Sequence, residues 1–156
     1  MTATELTCDL ADGDRWVLAG VGTLRRTGRI SRAATAEAGG RSWSIVRFGW
    51  VRTGFRAADE TRATVGELPG RLMRRSETLR WGDRALTLRP DEGHPGGYVL
   101  RDGDRPLATM APEREGKRPL KGVVEDPAVE AGLLLFMAFV VQAYSDDASF
   151  PPTTPT

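Results

Sequence analysis

The residues of this sequence that could bind a charged ligand are arginines concentrated in its first half. Nine arginines and a single acid, Glu37, lie between residues 15 and 56, although the net charge of the whole chain is only +1. A planar guanidinium group can bind two phosphate oxygens at once, so such a concentration predicts an anion-binding face. The tightest local groups, which are our candidate anion-binding residues, are Arg25, Arg26, Arg29, Arg74 and Arg75.

The arginine content is also consistent with two simpler interpretations. The chain has only two lysines, Lys117 and Lys121, which could reflect a general bias toward arginine as much as selection for paired phosphate contacts. Alternatively, the arginines alternate with inward-facing residues on strands and only keep an outer surface solvated. The same side chains could contact nucleic acid, but Trp43, Phe48 and Trp50 fit a protein core better than a base-stacking platform. No nucleic-acid partner is therefore expected.

No residue pattern indicates a catalytic or metal site. His94 is the only histidine and lies in the loop sequence GHPGG, where no motif links it to a serine, cysteine or acid, so we interpret it as an exposed bystander. The single cysteine, Cys8, excludes an internal disulfide and a multi-cysteine zinc site. We predict a non-enzymatic protein with no cofactor and no metal; an enzyme with an unrecognised site is the alternative.

Two weaker patterns are also set aside. Gly20-Val21-Gly22 begins like a dinucleotide-binding fingerprint, but Arg25 occupies the third glycine position and no helix follows. The acid pairs Asp102 with Asp104 and Asp146 with Asp147 supply fewer oxygens than a calcium site needs. Solvation at a turn and at a helix end accounts for both pairs.

The elements that must position the arginines are short β-strands. Runs of β-type pattern separated by turn residues recur along the chain, which is typical of a barrel or sandwich. Two hairpins are the clearest, because alternating apolar residues flank the turns Gly82-Asp83 and Asp102-Gly103. The remaining predicted strands cover residues 16–19, 21–30, 42–48, 50–55, 61–68 and 120–124, with a bulge or corner at Gly49 and an unassigned turn of helix or strand at 71–75.

The only long apolar segment covers residues 128–144. Asp126 and Pro127 are typical of a helix entrance, and residues 131–141 are apolar on every side, so this helix must be enclosed. A bilayer span needs about 20 apolar residues, whereas polar side chains interrupt this stretch at both ends. We therefore predict a buried helix and no transmembrane span, with membrane insertion or contact with a partner as the alternatives.

A β-rich chain that ends in a wholly apolar helix resembles the tubby C-terminal superfamily, which includes the phospholipid scramblases and the LURP-one-related proteins. Asp126-Pro127 followed by residues 131–141 is similar to the central helix of that family, and the preceding strands occur in the order the resemblance implies. The expected fold is mainly β (α+β): a closed or nearly closed antiparallel β-barrel of about ten to twelve strands around one buried hydrophobic C-terminal helix.

The resemblance implies one tubby-like domain over residues 14–147, with its central helix at about 127–145, between a flexible N-terminus at 1–13 and a disordered Pro/Thr tail at 148–156. It also implies binding of an anionic phospholipid head group, or of another anionic partner, through the arginine-rich face. A protein–protein interaction module without a lipid role is the alternative. The start of the chain has no basic segment followed by an apolar one, so we expect a cytoplasmic protein that can be peripheral to a membrane.

Overall fold

A computed structural model describes residues 4–12, 15–27, 33–49, 53–71, 77–94, 96–112 and 120–149 of the chain. These residues form twelve strands followed by one helix. The strands are β1 (Thr4–Asp12), β2 (Arg15–Leu18), β3 (Gly22–Arg26), β4 (Ala33–Ala38), β5 (Arg41–Phe48), β6 (Thr53–Ala58), β7 (Thr64–Arg71), β8 (Glu77–Trp81), β9 (Arg84–Pro90), β10 (Tyr98–Asp102), β11 (Arg105–Pro112) and β12 (Leu120–Val124). The helix is α1 (Ala131–Ser149).

All the strands belong to one antiparallel sheet, in which each pairs with its neighbours in chain order. The first strand is paired on both sides: Cys8 of β1 lies opposite Leu120 of β12 and opposite Leu18 of β2. Antiparallel neighbours need only short connections, which is why a chain rich in glycine turns can build such a sheet. The prediction of a mainly β, antiparallel fold with one C-terminal helix is confirmed.

Both predicted hairpins are present, and their residues alternate as expected. In β8 and β9 the side chains of Leu79, Leu86 and Leu88 are buried, while the residues between them are more exposed. Gly82 and Gly103 have φ angles of 63° and 61° at the two turns. A positive φ is accessible to glycine at little cost, so these residues allow the chain to reverse between adjacent strands.

The helix α1 is enclosed by the sheet. Every residue from Leu133 to Val141 is at most 5% exposed, and the helix packs against β3, β4 and β5 on one side and against β11 on another. Because no face of this segment meets water, its uniform apolar composition is explained by its position, and the prediction of a buried helix is confirmed. No helix in the described part of the chain is long and apolar enough to cross a membrane.

The helix begins later than the predicted residue 127. Asp126 accepts a hydrogen bond from the backbone N–H of Ala128 at 2.9 Å, and its carbonyl accepts one from Val129 at 3.1 Å. These bonds close a separate turn, and the first helical bond runs from the N–H of Leu134 to the carbonyl of Glu130 at 3.1 Å. Asp126 therefore caps the turn that leads into α1. At its other end α1 continues to Ser149, so it includes two residues of the predicted disordered tail.

Two strands lie where none was predicted. The segment expected to be a flexible N-terminus contains β1, and β4 lies inside the arginine-rich segment. Two inward residues of β4, Ala34 and Ala36, are 2% and 0% exposed, and alanine has a low β propensity, so burial decides this strand. The predicted strand at 21–30 is described only in part, as β3, and the unassigned residues 72–75 lie outside the described residues.

Candidate anion-binding surface

Arg25 and Arg26, the two candidate residues that the structure describes, lie at the end of β3, beside the start of β2. A turn joins the two strands, closed by a bond from the N–H of Val21 to the carbonyl of Leu18 at 3.0 Å. The register then places Arg15 directly opposite Arg25. Leu18 and Leu24 are buried, so the residues of opposite parity, Arg15 and Arg25, lie on the outer face of the sheet. Two cations thus face each other on neighbouring strands.

This cross-strand pair has an electrostatic consequence. Like charges directly opposite each other on adjacent strands destabilise the pairing, typically by a few tenths of a kcal/mol to about 1 kcal/mol. Arg25 is exposed, whereas Arg15 is partly buried and its Nε atom is inaccessible to solvent, so an anion approaching the outer face meets Arg25 first. An anion bound at Arg25 would accept charge-assisted hydrogen bonds and offset the repulsion from Arg15.

Arg26 lies on the opposite face of the sheet from Arg25, although the sequence grouped the two. Its guanidinium carbon is 4.1 Å from the centre of the Trp16 ring, and Trp16 is paired with the buried Leu24. Consecutive strand residues point to opposite faces, so Arg25 and Arg26 cannot converge on one outer ligand. Stacking on Trp16 holds Arg26 at the inner edge of the sheet through a cation–π contact.

The sequence did not single out a second part of the basic outer face, which lies on β5 and β6. Val46 is paired with Arg56, and the Arg56 guanidinium carbon is 5.1 Å from the centre of the Phe48 ring. The Nε of Arg56 is 3.4 Å from Oε2 of Glu67 on β7, and both side chains are well exposed. The alternation of side chains along β5 could have identified these residues. Trp43 and Ile45 are buried, so Val46 and Phe48, which have the opposite parity, lie on the outer face.

Inside the sheet, buried polar groups lie beside the C-terminal part of α1. The hydroxyl of Tyr144 donates a hydrogen bond to Oε2 of Glu77 at 2.9 Å, and these residues are 7% and 5% exposed. The Arg47 guanidinium carbon lies 5.6 Å from the centre of the Phe55 ring. The end of α1 is therefore held by polar as well as aromatic contacts, and Phe55 and Tyr144 meet edge to face at 5.6 Å.

Comparison with known proteins gives no match: no protein-family model, no curated protein and no solved structure is significantly similar to this chain. The likeness to the tubby C-terminal superfamily therefore rests on the order of the strands and on the enclosed helix, and it stays a prediction.

Three of the candidate residues, Arg29, Arg74 and Arg75, lie outside the described residues.

His94 forms a pair with an acid in the loop between β9 and β10. Its Nδ1 is 2.9 Å from Oδ2 of Asp91, and the His94 side chain is 71% exposed. The hydrogen bond with the His94 side chain lowers the pKa of Asp91, and a bond from the N–H of Gly93 adds to this effect against the opposing influence of burial. The His94 side chain is exposed, as predicted, and it contacts Asp91 of the same loop.

The acid pair at the β10–β11 turn has partners of its own. Asp102 lies 3.3 Å from Arg84 and 3.8 Å from Arg105, so ion pairs as well as water stabilise its negative charge. Arg105 also lies 3.3 Å from Asp126, which links this turn to the start of the helical segment. Within the ranges that the structure describes, no three histidine, cysteine or acidic side chains are grouped so that they could hold a metal ion.

Proposed function

We propose that this chain is a non-enzymatic binding domain that recognises anionic phospholipid through the arginines of its outer face. The observation that carries the proposal is the cross-strand pair of Arg15 and Arg25, with Arg56 on the same face of the sheet. We propose further that the protein is cytoplasmic and lies at the periphery of a membrane with acidic head groups. Arg29, Arg74 and Arg75, which lie outside the described residues, remain candidate ligands of this face, whereas Arg26 lies on the other face of the sheet and is no longer one.

The proposed fold is a tubby-like closed barrel filled by α1. Closure is supported by the pairing of β1 with both β2 and β12, and the enclosed helix supports the likeness to that superfamily. Closure would leave no free strand edge, so partners would bind through side chains on the outer face. In a ring of twelve strands, β9 lies six strands from β3 in either direction, and its outer face is therefore the one farthest from Arg25.

A membrane suits this surface because its anions are many and lie in one plane. An arginine close to an acidic bilayer contributes about 1 kcal/mol, so three outer arginines contribute about 3 kcal/mol, or roughly 100-fold in binding. The contribution disappears as salt shortens the range of the field. Binding should therefore depend on acidic lipid, on ionic strength and on each outer arginine.

Sedimentation with vesicles tests the proposal. We expect wild-type protein to bind vesicles containing phosphatidylserine or phosphoinositide and not neutral vesicles, with binding lost at high salt. Arg25→Ala and Arg56→Ala should each weaken binding about fivefold, and the double variant about 25-fold. The matched control is Arg89→Ala, which removes the same charge from an exposed position on β9. Equal binding by all five proteins, or no preference for acidic lipid, would overturn the lipid role.

A further inference from the structure

The outer face also exposes an apolar side chain beside these arginines. Among the side chains whose exposure the structure describes, Val46 is the one large hydrophobic residue that is well exposed, at 41%. A single exposed apolar residue is ordinary on a protein surface, so its surroundings decide whether it has a role. Here the next residue on the same face of β5 is aromatic, Phe48, and it is only half-buried. The two side chains form an apolar strip, which we call the Val46–Phe48 strip.

Cationic side chains border this strip. Arg56 is the cross-strand partner of Val46, and its guanidinium group lies over the ring of Phe48. On the other side, Arg25 is paired with Thr35, and Thr35 is paired with Ser44, two residues before Val46 on the same face. Two strand spacings and a two-residue offset put the Cα atoms of Arg25 and Val46 roughly 12 Å apart. The arginine side chains are long enough to meet phosphates at the level of the strip.

We propose that the Val46–Phe48 strip enters the interfacial layer of an acidic bilayer while Arg25 and Arg56 bind the surrounding head groups. The inference rests on the proposed lipid role and adds an apolar contact to it. Charge complementarity favours this occupant, because a bilayer offers an anionic plane with an apolar layer beneath it. The Arg56 guanidinium group, which lies over the Phe48 ring, stays at the level of the head groups when the ring enters the interfacial layer.

Substitutions at Val46 test the inference, because the exposed side chain can change without altering the core. Val46→Thr keeps the branched shape suited to a strand and replaces a methyl group by a hydroxyl, and we expect about fivefold weaker binding to acidic vesicles. Val46→Trp should strengthen binding, since tryptophan favours the membrane interface. The matched control is Val99→Thr on the outer face of β10, which should bind as wild type does.

Salt separates the two contributions. In about 1 M salt the electrostatic attraction is screened beyond roughly 3 Å, so the residual binding reports the apolar contact. Val46→Thr should reduce this residual binding and leave the slope with salt unchanged, whereas Arg25→Ala should reduce the slope. If wild type binds acidic vesicles and both Val46 variants bind equally well, the strip is not in the bilayer and only this inference fails. If wild type does not bind them at all, the proposed function fails with it.

Discussion

Substitution of Gly132 by alanine tests how tightly the sheet holds its helix. Gly132 is the second residue of α1, where alanine would usually add about 1 kcal/mol of stability. A Cβ atom at this position would lie 2.7 Å from two atoms of the Trp43 ring and 2.9 Å from the Trp81 ring. Ordinary carbon contacts begin at 3.4 Å, so the Trp43 ring would have to move by about 0.7 Å.

Both rings have contacts that oppose such a movement. The Nε1 of Trp81 donates a hydrogen bond to Glu130 at 2.7 Å, and Arg41 lies over the ring of Trp43 at 5.1 Å. Inserting a methyl group into such a core costs about 1–3 kcal/mol, and contact with two rings places Gly132→Ala in the upper half of that range. After subtracting the gain in helix propensity, we expect a net loss of about 1–2 kcal/mol.

Thermal and urea denaturation measure this loss. For a chain of this length, each kcal/mol shifts Tm by about 2–4 °C, so Tm should fall by about 2–8 °C. The control is Trp43→Phe, alone and combined with Gly132→Ala, because phenylalanine lacks the indole atoms that the methyl group would meet. The double variant should be more stable than the sum of the single effects predicts. A Tm for Gly132→Ala at or above that of wild type, or strictly additive effects, would refute the proposed contact between the helix and the two rings.

Two further predictions concern polar side chains. Tyr144→Phe removes the donor to the buried carboxylate of Glu77, which should lower the free energy of unfolding by about 1–3 kcal/mol in urea denaturation, and an unchanged midpoint would show that the bond adds nothing. The hydrogen bond from the hydroxyl of Thr61 lowers the pKa of Asp59, helped by the N–H groups of Thr61 and Ala63. A lowered folded-state pKa stabilises the protein above the ordinary pKa, and that stability is lost as pH falls through the lowered value. Asp59→Ala should therefore flatten the decrease of Tm below about pH 4, and a decrease as steep as in wild type would contradict this account.

The helix and the hairpins were predictable because each carries its signal in consecutive residues. An apolar run with no polar face can only be enclosed, and a glycine turn between alternating apolar residues fixes a hairpin. The strand β4 carried no such signal, because its buried positions are alanines that the neighbouring strands and α1 select. In β1, Leu6, Cys8 and Leu10 alternate with polar residues, a period-2 pattern that the acidic composition of the N-terminus concealed.

The arginine surface was predictable in location but not in arrangement. Adjacency in sequence grouped Arg25 with Arg26, whereas strand parity separates them and joins Arg25 to Arg15. The face of the sheet on which each residue of a strand lies can be inferred from the alternation of apolar and polar residues in the sequence. The position of Arg56 opposite Val46 depends on the register between β5 and β6, and no local pattern specifies that register.

The placement of α1 after all twelve strands has a consequence for how the protein is made. The ribosome completes every strand before it reaches Ala131, so the apolar inner faces of the sheet remain uncovered until α1 has been synthesised. A nascent chain that stalls near residue 130 would expose those faces and would be prone to aggregate or to need a chaperone. Final compaction thus follows synthesis of the helix, and a premature stop codon just before Ala131 should be as harmful as one in the first strands.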